Sequence, residues 1–342
     1  MAPHSVRILY PDSGIGLAND ALILSGALER LGLRCRVCAL PADFRGSLPL
    51  RAAGRLARRS AEDNRAARNY NRVVSFTRRL HGDVADLNIF LQRVYHTLLP
   101  GARRNVLIPN PEWLRPQWLW QLRLVDKVWC KTQHAVALLS PHAPNCVYIG
   151  FTSLDRRLPS AASDAGWLHI ASSGVQKGTD AVLQAWGRHP HWPRLTVLQH
   201  RLQPLGSSTE NVRYIARRLS EAEVVSLLNA NAFHLCPSQS EGFGHTIVEG
   251  LGCKALVLAT DAPPMNELVN ESRGVLVAAG NGQPQHLGVR YTVDADAVSE
   301  AVERTLALQR SDIADRRQAA RAWFEANAAR FERQLQDALE RL

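Results

Sequence analysis

"AFHLCPSQSEGFGHTIVEGLGCKALVLAT", Ala232 to Thr260, reads as strand, loop, helix, strand. "AFHLCPS" is an apolar strand stopped at its loop, Gly242, Phe243 and Gly244 carry the turn, a helix begins near His245, and "ALVLAT" is the next strand. A strand–helix–strand unit of this kind belongs to a parallel sheet. The first amides of a helix have no acceptors within it. With the helix dipole they make an anion site suited to a phosphate. Glu241 stands before the turn, and Glu249 stands about one turn into the helix, on the order of 6 Å along its axis from His245. Carboxylates repel the phosphate itself but accept hydrogen bonds from diols. Two of them flanking an anion site fit a nucleotide sugar, with sugar hydroxyls at one end and ribose hydroxyls at the other.

The same alternation runs through the chain of 342 residues, a length comfortable for two cores. "VRILYPD", the glycine turn "SGIG" and a helix with Leu17, Ala21, Leu24 and Leu28 at helical spacing open it, and "LRCRVCAL" follows as a strand. "DLNIFL", "RRNVLIPN", "DKVWCKT" and "NCVYIG" are further strands. The stretch 154–166, rich in Ser, Asp and Pro, is expected to link a domain at 1–153 to one at 167–342. Strands and helices then alternate again from "WLHIAS" onward, and a long charged helix ends the chain. The expected fold class is α/β, with two Rossmann-like domains facing an interdomain cleft and ligands at the carboxyl ends of the strands.

No stretch approaches the roughly 18 apolar residues of a membrane span, and the first residues lack the apolar block of a signal peptide. A cytoplasmic protein is expected. Lysine and arginine number 41 against 31 acidic residues, and the excess is uneven. Arg45 to Arg79 holds ten arginines against Glu62 and Asp63, which reads either as a solvated face or as a surface for anionic headgroups or an acidic acceptor. Peripheral contact with an anionic membrane is one expectation from it. Nucleic acid is not, because the segment has few interleaved aromatics and no binding motif. Cys35 and Cys38 form an isolated C-x-x-C and read as reduced thiols in a strand. "DAD", Asp294 to Asp296, precedes an amphipathic helix and reads as an N-cap rather than a metal triad. Gly14 and Gly16 read as a tight turn; the third position of a dinucleotide fingerprint is Asn19. Trp113, Trp118 and Trp120 are expected to be packed rather than to bind ligand.

"PSQSEGFGHTIVEGLGCKALVLATDAPPMNELV", Pro237 to Val269, resembles the donor-site signature of retaining glycosyltransferases of the GT-B fold, family 4-like: P-S-x-x-E-G-F-G, a second glutamate eight residues on, a strand, and a loop leading to E-L-V. "SSGVQKGTDAVLQAW" resembles the phosphate-binding loop of that family, whose lysine falls on Lys177, and "SGIG" its first glycine turn. The likeness is specific over about Trp167 to Val277 and topological over the first domain. It implies donor contacts from Gly14, Gly16, Lys177 and Gly242. It further implies Glu241 on the donor sugar, Glu249 on the ribose, and backbone amides around Phe243, Gly244, His245 and Thr246 on the sugar and diphosphate. The activity implied is metal-independent transfer, with retention, from a nucleotide-diphosphate sugar to a glycan, lipid-linked or other hydroxyl acceptor, with no cofactor.

Two positions depart from the pattern. The arginine usual five residues before the lysine is Ser172 here, and Arg201 is the expected substitute at the phosphate. A histidine common after the strand "NVLIPN" is replaced by Asn110, which is expected to donate a hydrogen bond near the reacting carbon. Catalysis is thus assigned to Glu241, Lys177 and Asn110. Two other readings stay open on the sequence: a nucleotide-sugar epimerase or phosphorylase relative of the same fold, and a noncatalytic binder of anionic polymer or membrane.

Overall fold

The computed structural model of the chain describes residues 3–41, 44, 84–159, 164–172, 176–199 and 210–342. The basic segment from Arg45 to Arg79 and Arg201 lie outside the described residues. Two compact units divide the chain: Met1–Phe151 with Gln285–Gly288 and Arg330–Leu342, and Thr152–Pro284 with Val289–Ala329.

The first unit is built on one parallel sheet of six strands: β1 (Ser5–Pro11), β2 (Arg34–Leu40), β3 (Ala85–Leu91), β4 (Ala102–Ile108), β5 (Lys127–Cys130) and β6 (Cys146–Tyr148). Their order is β2-β1-β3-β4-β5-β6, so the sheet changes direction between β1 and β3. Central strands of parallel sheets are covered on both faces and read as unbroken apolar runs; Leu87, Ile89, Phe90 and Leu91 of β3 are fully buried. Helix α1 (Ile15–Arg30) follows β1, and α2 (Gln133–Leu139) follows β5, opened by the Thr132 side chain accepting the Ala135 amide. Lys131, at the end of β5, holds Asp20 of α1 in a buried ion pair at 2.8 Å.

The second unit carries β7 (Asp164–Ser172), β8 (Leu195–Gln199), β9 (Val212–Ile215), β10 (Asn231–Cys236), β11 (Leu256–Thr260) and β12 (Gly274–Val277), again all parallel. The order is β12-β11-β10-β7-β8-β9. Counted from β7 this is the 3-2-1-4-5-6 arrangement of dinucleotide-binding sheets, whose reversal falls between β7 and β10. Helices α3 (Thr179–Arg188), α4 (Glu221–Ala230), α5 (His245–Gly252), α6 (Met265–Leu268), α7 (Ala295–Leu306) and α8 (Arg310–Glu340) follow in chain order. Ser220 and Glu223 form a reciprocal capping box at α4. Asp294 accepts the Ala297 amide at 2.8 Å, so "DAD" does begin α7 as a cap. The core is aromatic on one side of the sheet. Trp167 stacks on Phe233 at 4.6 Å and meets Trp186 edge-on at 5.6 Å.

Three expectations change. Strand β7 starts at Asp164, inside the stretch 154–166 expected to be linker. A two-stranded hairpin, β13 (Gly282–Gln285) with β14 (Gly288–Tyr291), forms where no strand was expected. Its first strand, Gly-Gln-Pro-Gln, holds no large apolar residue, and only Val289 and Tyr291 alternate in the second, so a period-2 reading finds too little to mark the pair. Trp118 and Trp120 pack against the core of the first unit, but Trp113 is 47% exposed: it ends the short 3-10 turn Pro111–Trp113, whose Pro111 and Glu112 are the buried residues.

Two buried imidazoles make the second unit acid-sensitive. The ring of His169 on β7 donates from Nδ1 to the Leu235 carbonyl and accepts at Nε2 from the Thr179 hydroxyl, both at 2.9 Å. His234 on β10 donates from Nε2 to the Leu228 carbonyl at 3.0 Å. Burial brings both rings down from 6.5 to about 4. Above pH 6.5 neither state of the protein takes up these protons, whereas between 6.5 and 4 the unfolded chain does and the folded one does not. Stability is therefore lost as pH falls through that window, by up to roughly 3 kcal/mol per ring. Urea midpoints measured across it are expected to fall steadily, and less steeply in His234→Gln; a flat profile would contradict the assignment.

Candidate functional site

Ligands of open α/β sheets bind beyond the carboxyl ends of the strands, where the strand order reverses. In the second unit that place is fixed by β7 and β10, which pair directly with His169 opposite Leu235. The loop after β7 brings Gln176, Lys177 and Gly178; the loop after β10 brings Pro237 to Gly244. The loops are pressed together. The Gln239 amide donates to the Gln176 carbonyl at 2.8 Å. Gly178 adopts φ +70°, and a Cβ there would stand 2.2 Å from the Pro237 carbonyl oxygen, so neither the conformation nor the space admits a larger residue.

This packing joins Lys177 and Glu241, 64 residues apart, in an ion pair between Nζ and Oε1. Their side chains are 21% and 12% exposed, enough for a ligand to reach them. Past the turn, Gly244 at φ +111° opens α5. Phe243 is buried and meets the His245 ring edge-on at 5.5 Å. Ile247 and Val248 amides return to the Gly244 carbonyl at 3.0 and 3.1 Å. The preceding amides of the turn, those of His245 and Thr246, have no acceptor inside the helix, which is the condition for an anion site. Cys236, at the end of β10, is buried and its thiol is pushed up to about 12, which leaves it an unreactive floor.

Glu249 is less exposed than its sequence position suggests. It lies four residues after His245, on the same helix face, and is 6% exposed. Its Oε1 accepts from Arg156 Nε at 3.0 Å, and Arg156 Nη1 also binds Glu221. Burial raises the Glu249 carboxyl pKa, and the charge of Arg156 opposes that rise. His245 is likewise more than a backbone amide, since its Nδ1 is 2.8 Å from the Ser153 hydroxyl.

Sequence reasoning missed both Ser153 and Arg156. They lie in "TSLDRR", which has no periodicity, and only the neighbouring arginines hint at a role. The segment is pinned by Asp155, whose two carboxylate oxygens accept from Arg321 of α8 at 2.7 and 2.8 Å.

The remaining expected residues lie elsewhere. Ser172 is the last residue of β7. Gly14, Gly16 and Asn110 belong to the first unit. Among the described residues a Cβ on either glycine would meet nothing within 4 Å, so room rather than packing distinguishes that turn. Asn110 precedes the 3-10 turn at Pro111–Trp113, and its buried Oδ1 has no hydrogen-bond partner among the described residues. Gly242 and Thr246 lie beside Glu241 and His245 at the mouth of α5.

Residues 149–306 match the family described as Glycosyl transferases group 1. Among curated proteins, the uncharacterized glycosyltransferase MJ1178 of Methanocaldococcus jannaschii is 39% identical over 162 residues, an alignment spanning 46% of each chain. This chain thus spans about half the length of that relative. Solved structures match almost end to end at low identity. A glycosyltransferase from Rickettsia africae aligns with a TM-score of 0.66 and 14% identity over 99% of this chain and 98% of its own. HepE from Anabaena, solved with UDP-glucose, gives 0.65 and 16% over 98% and 100%. Sucrose-phosphate synthase from Thermosynechococcus elongatus gives 0.65 and 15% over 99% and 100%. The fold is that of GT-B glycosyltransferases.

Proposed function

We propose, from the premise that residues 149–306 are a group 1 glycosyl transferase segment, that the chain moves a sugar from a nucleotide-diphosphate sugar to a hydroxyl acceptor with retention at the anomeric carbon. The observation that carries this reading is the meeting of Lys177 and Glu241 beside the mouth of α5 at the sheet reversal. The diphosphate takes Lys177 from Glu241 and lies against the first amides of α5. Glu241 is then released to the hydroxyls of the donor sugar. Charge that grows on the departing diphosphate is met by an ammonium and a helix terminus already aimed at it, and we assign the reaction no metal. Glu249 receives the ribose hydroxyls with the oxygen that Arg156 does not bind, while Arg156 holds the carboxylate in place. Ser153 sets the His245 ring against the sugar side of the pocket. The acceptor is a glycan, a lipid-linked glycan or another hydroxyl compound.

The two loops cannot separate without losing the Gln239–Gln176 hydrogen bond, so the cation and the carboxylate are preorganised. Preorganisation is what makes such groups effective in a transition state. Slow donor hydrolysis without acceptor, followed by proton NMR, tests the stereochemistry. The first-formed free sugar is expected to keep the donor's anomeric configuration. An inverted first-formed anomer would remove the retaining assignment, and conversion of the donor to its epimer without release of nucleotide would replace transfer altogether.

A further inference from the structure

A pocket of about 270 Å³ lies in the second unit, lined by Arg157, Leu158, Pro159, Asn229, Cys253, Lys254, Ala314 and Arg317. It is at the other end of the sheet from Lys177 and Glu241. Asn229 precedes β10 and Lys254 precedes β11, whereas Glu241 follows β10. Five intervals of β10 put roughly 17 Å of strand between the two ends.

Three basic residues line this space, and the described lining includes no acidic one. The walls are built rather than accidental. Asn229 accepts the Leu158 amide at 2.9 Å and donates to the Arg156 carbonyl at 2.7 Å, so its amide is spent on holding the 156–159 segment in place. Arg317 Nε donates to the Lys254 carbonyl at 2.7 Å, which fixes its guanidinium beside Lys254.

Lys254 is the informative residue. Helix α5 ends in paired 3.0 Å bonds from Lys254 N to Leu251 O and from Ala255 N to Gly250 O, a Schellman ending. The residue after the cap in that motif is left-handed and is ordinarily glycine. Here it is lysine at φ +61°. A long cationic side chain has been placed where the backbone favours none, and its place is the wall of a basic pocket. Strained backbone is retained where the surroundings require that residue.

We infer that the Arg157–Lys254–Arg317 pocket binds a small soluble anion of the phosphate monoester class, separate from the nucleotide-sugar site. Three cationic residues around one space, with Arg317 held by its bond to the Lys254 carbonyl, match the oxygens of a terminal phosphate. Leu158, Pro159 and Ala314 give an apolar wall for a short carbon skeleton, and the volume, just below the usual range for ligand pockets of about 300–1,000 Å³, limits the ligand to a few carbons.

The probe is inorganic phosphate, titrated at constant ionic strength into the full chain and followed by the shift in thermal midpoint and by phosphorus NMR line broadening. The wild type is expected to show a saturable response. Lys254→Gly, which suits the left-handed backbone better than lysine and so keeps the fold, is expected to weaken it by about tenfold or more, and Arg157→Gln with Lys254→Gly to remove it. Lys177→Met is expected to leave this response intact. No saturable response in the wild type would overturn the inference, as would a response that survives in the double variant. A response lost only in Lys177→Met would place the phosphate at α5 instead. Sedimentation with phosphatidic acid vesicles that the double variant abolishes, with no response to free phosphate, would assign the pocket to a lipid headgroup and overturn the soluble-anion reading.

Discussion

Lys177→Met is expected to lower kcat by about 10²–10³-fold, the loss seen when one preorganised group facing developing charge is removed. The ammonium is held within reach of Glu241, at the junction of two loops that follow neighbouring strands. Its charge acts most when the diphosphate departs, so the loss is expected in kcat more than in KM. The fold is expected to survive, because the Gln239–Gln176 bond and the contact at Gly178 hold the loops without the lysine. Glu241→Gln separates the roles further. It keeps a side chain of the same shape, and is expected to lose turnover while nucleotide binding remains. Steady-state kinetics and titration of the nucleoside diphosphate distinguish the two variants. Unchanged kcat in Lys177→Met would mean that the leaving group is stabilised by something else.

Arg156→Met is expected to destabilise the protein by about 3–5 kcal/mol, since it leaves the Glu249 carboxylate buried and uncompensated. Both side chains of that pair are nearly inaccessible, at 7% and 8% exposure, while the second partner of Arg156, Glu221, is 69% exposed and contributes little. The pair and the single changes therefore do not add. Arg156→Met combined with Glu249→Gln is expected to recover most of the stability lost by Arg156→Met alone, because no charge is stranded. Urea unfolding of the two single variants and the double variant measures the coupling. Additive losses would show that the two groups do not depend on each other. Function follows a different order: Glu249→Gln is expected to weaken nucleoside diphosphate binding roughly 10- to 150-fold, for about 1.5–3 kcal/mol of a charged hydrogen bond.

What could be read from the chain was the part encoded by neighbours in sequence. The strand, glycine turn and helix from Ala232 to Gly252 are contiguous and carry their own punctuation, and Asp294 shows its capping role by standing just before a periodic helix. Lys177 was legible through its motif; its partner Glu241 came from a second motif, and only the pairing of β7 with β10 puts them in contact. Arg156 left no such mark. It lies 93 residues from Glu249, in a stretch without periodicity, and its importance comes from burial that no local pattern reports. The depth of Glu249 was hidden for a related reason: a glutamate in the first turns of a helix looks solvated until the side of the helix that faces the sheet is known. The strand at Gly282–Gln285 was missed because glycine, glutamine and proline compose it, its partner Gly288–Tyr291 because only Val289 and Tyr291 mark so short a strand, and Trp113 because an exposed tryptophan next to prolines has the same sequence as a packed one.

Calorimetric titration of the full chain with uridine, guanosine and adenosine diphosphates tests the central claim most directly, which is that the β7 and β10 loops and the mouth of α5 hold a nucleoside diphosphate. One of the three is expected to bind with a defined stoichiometry, and its affinity to fall in both Lys177→Met and Glu249→Gln while persisting in Glu241→Gln. No binding of any of them, or binding that neither Lys177→Met nor Glu249→Gln weakens, would contradict it.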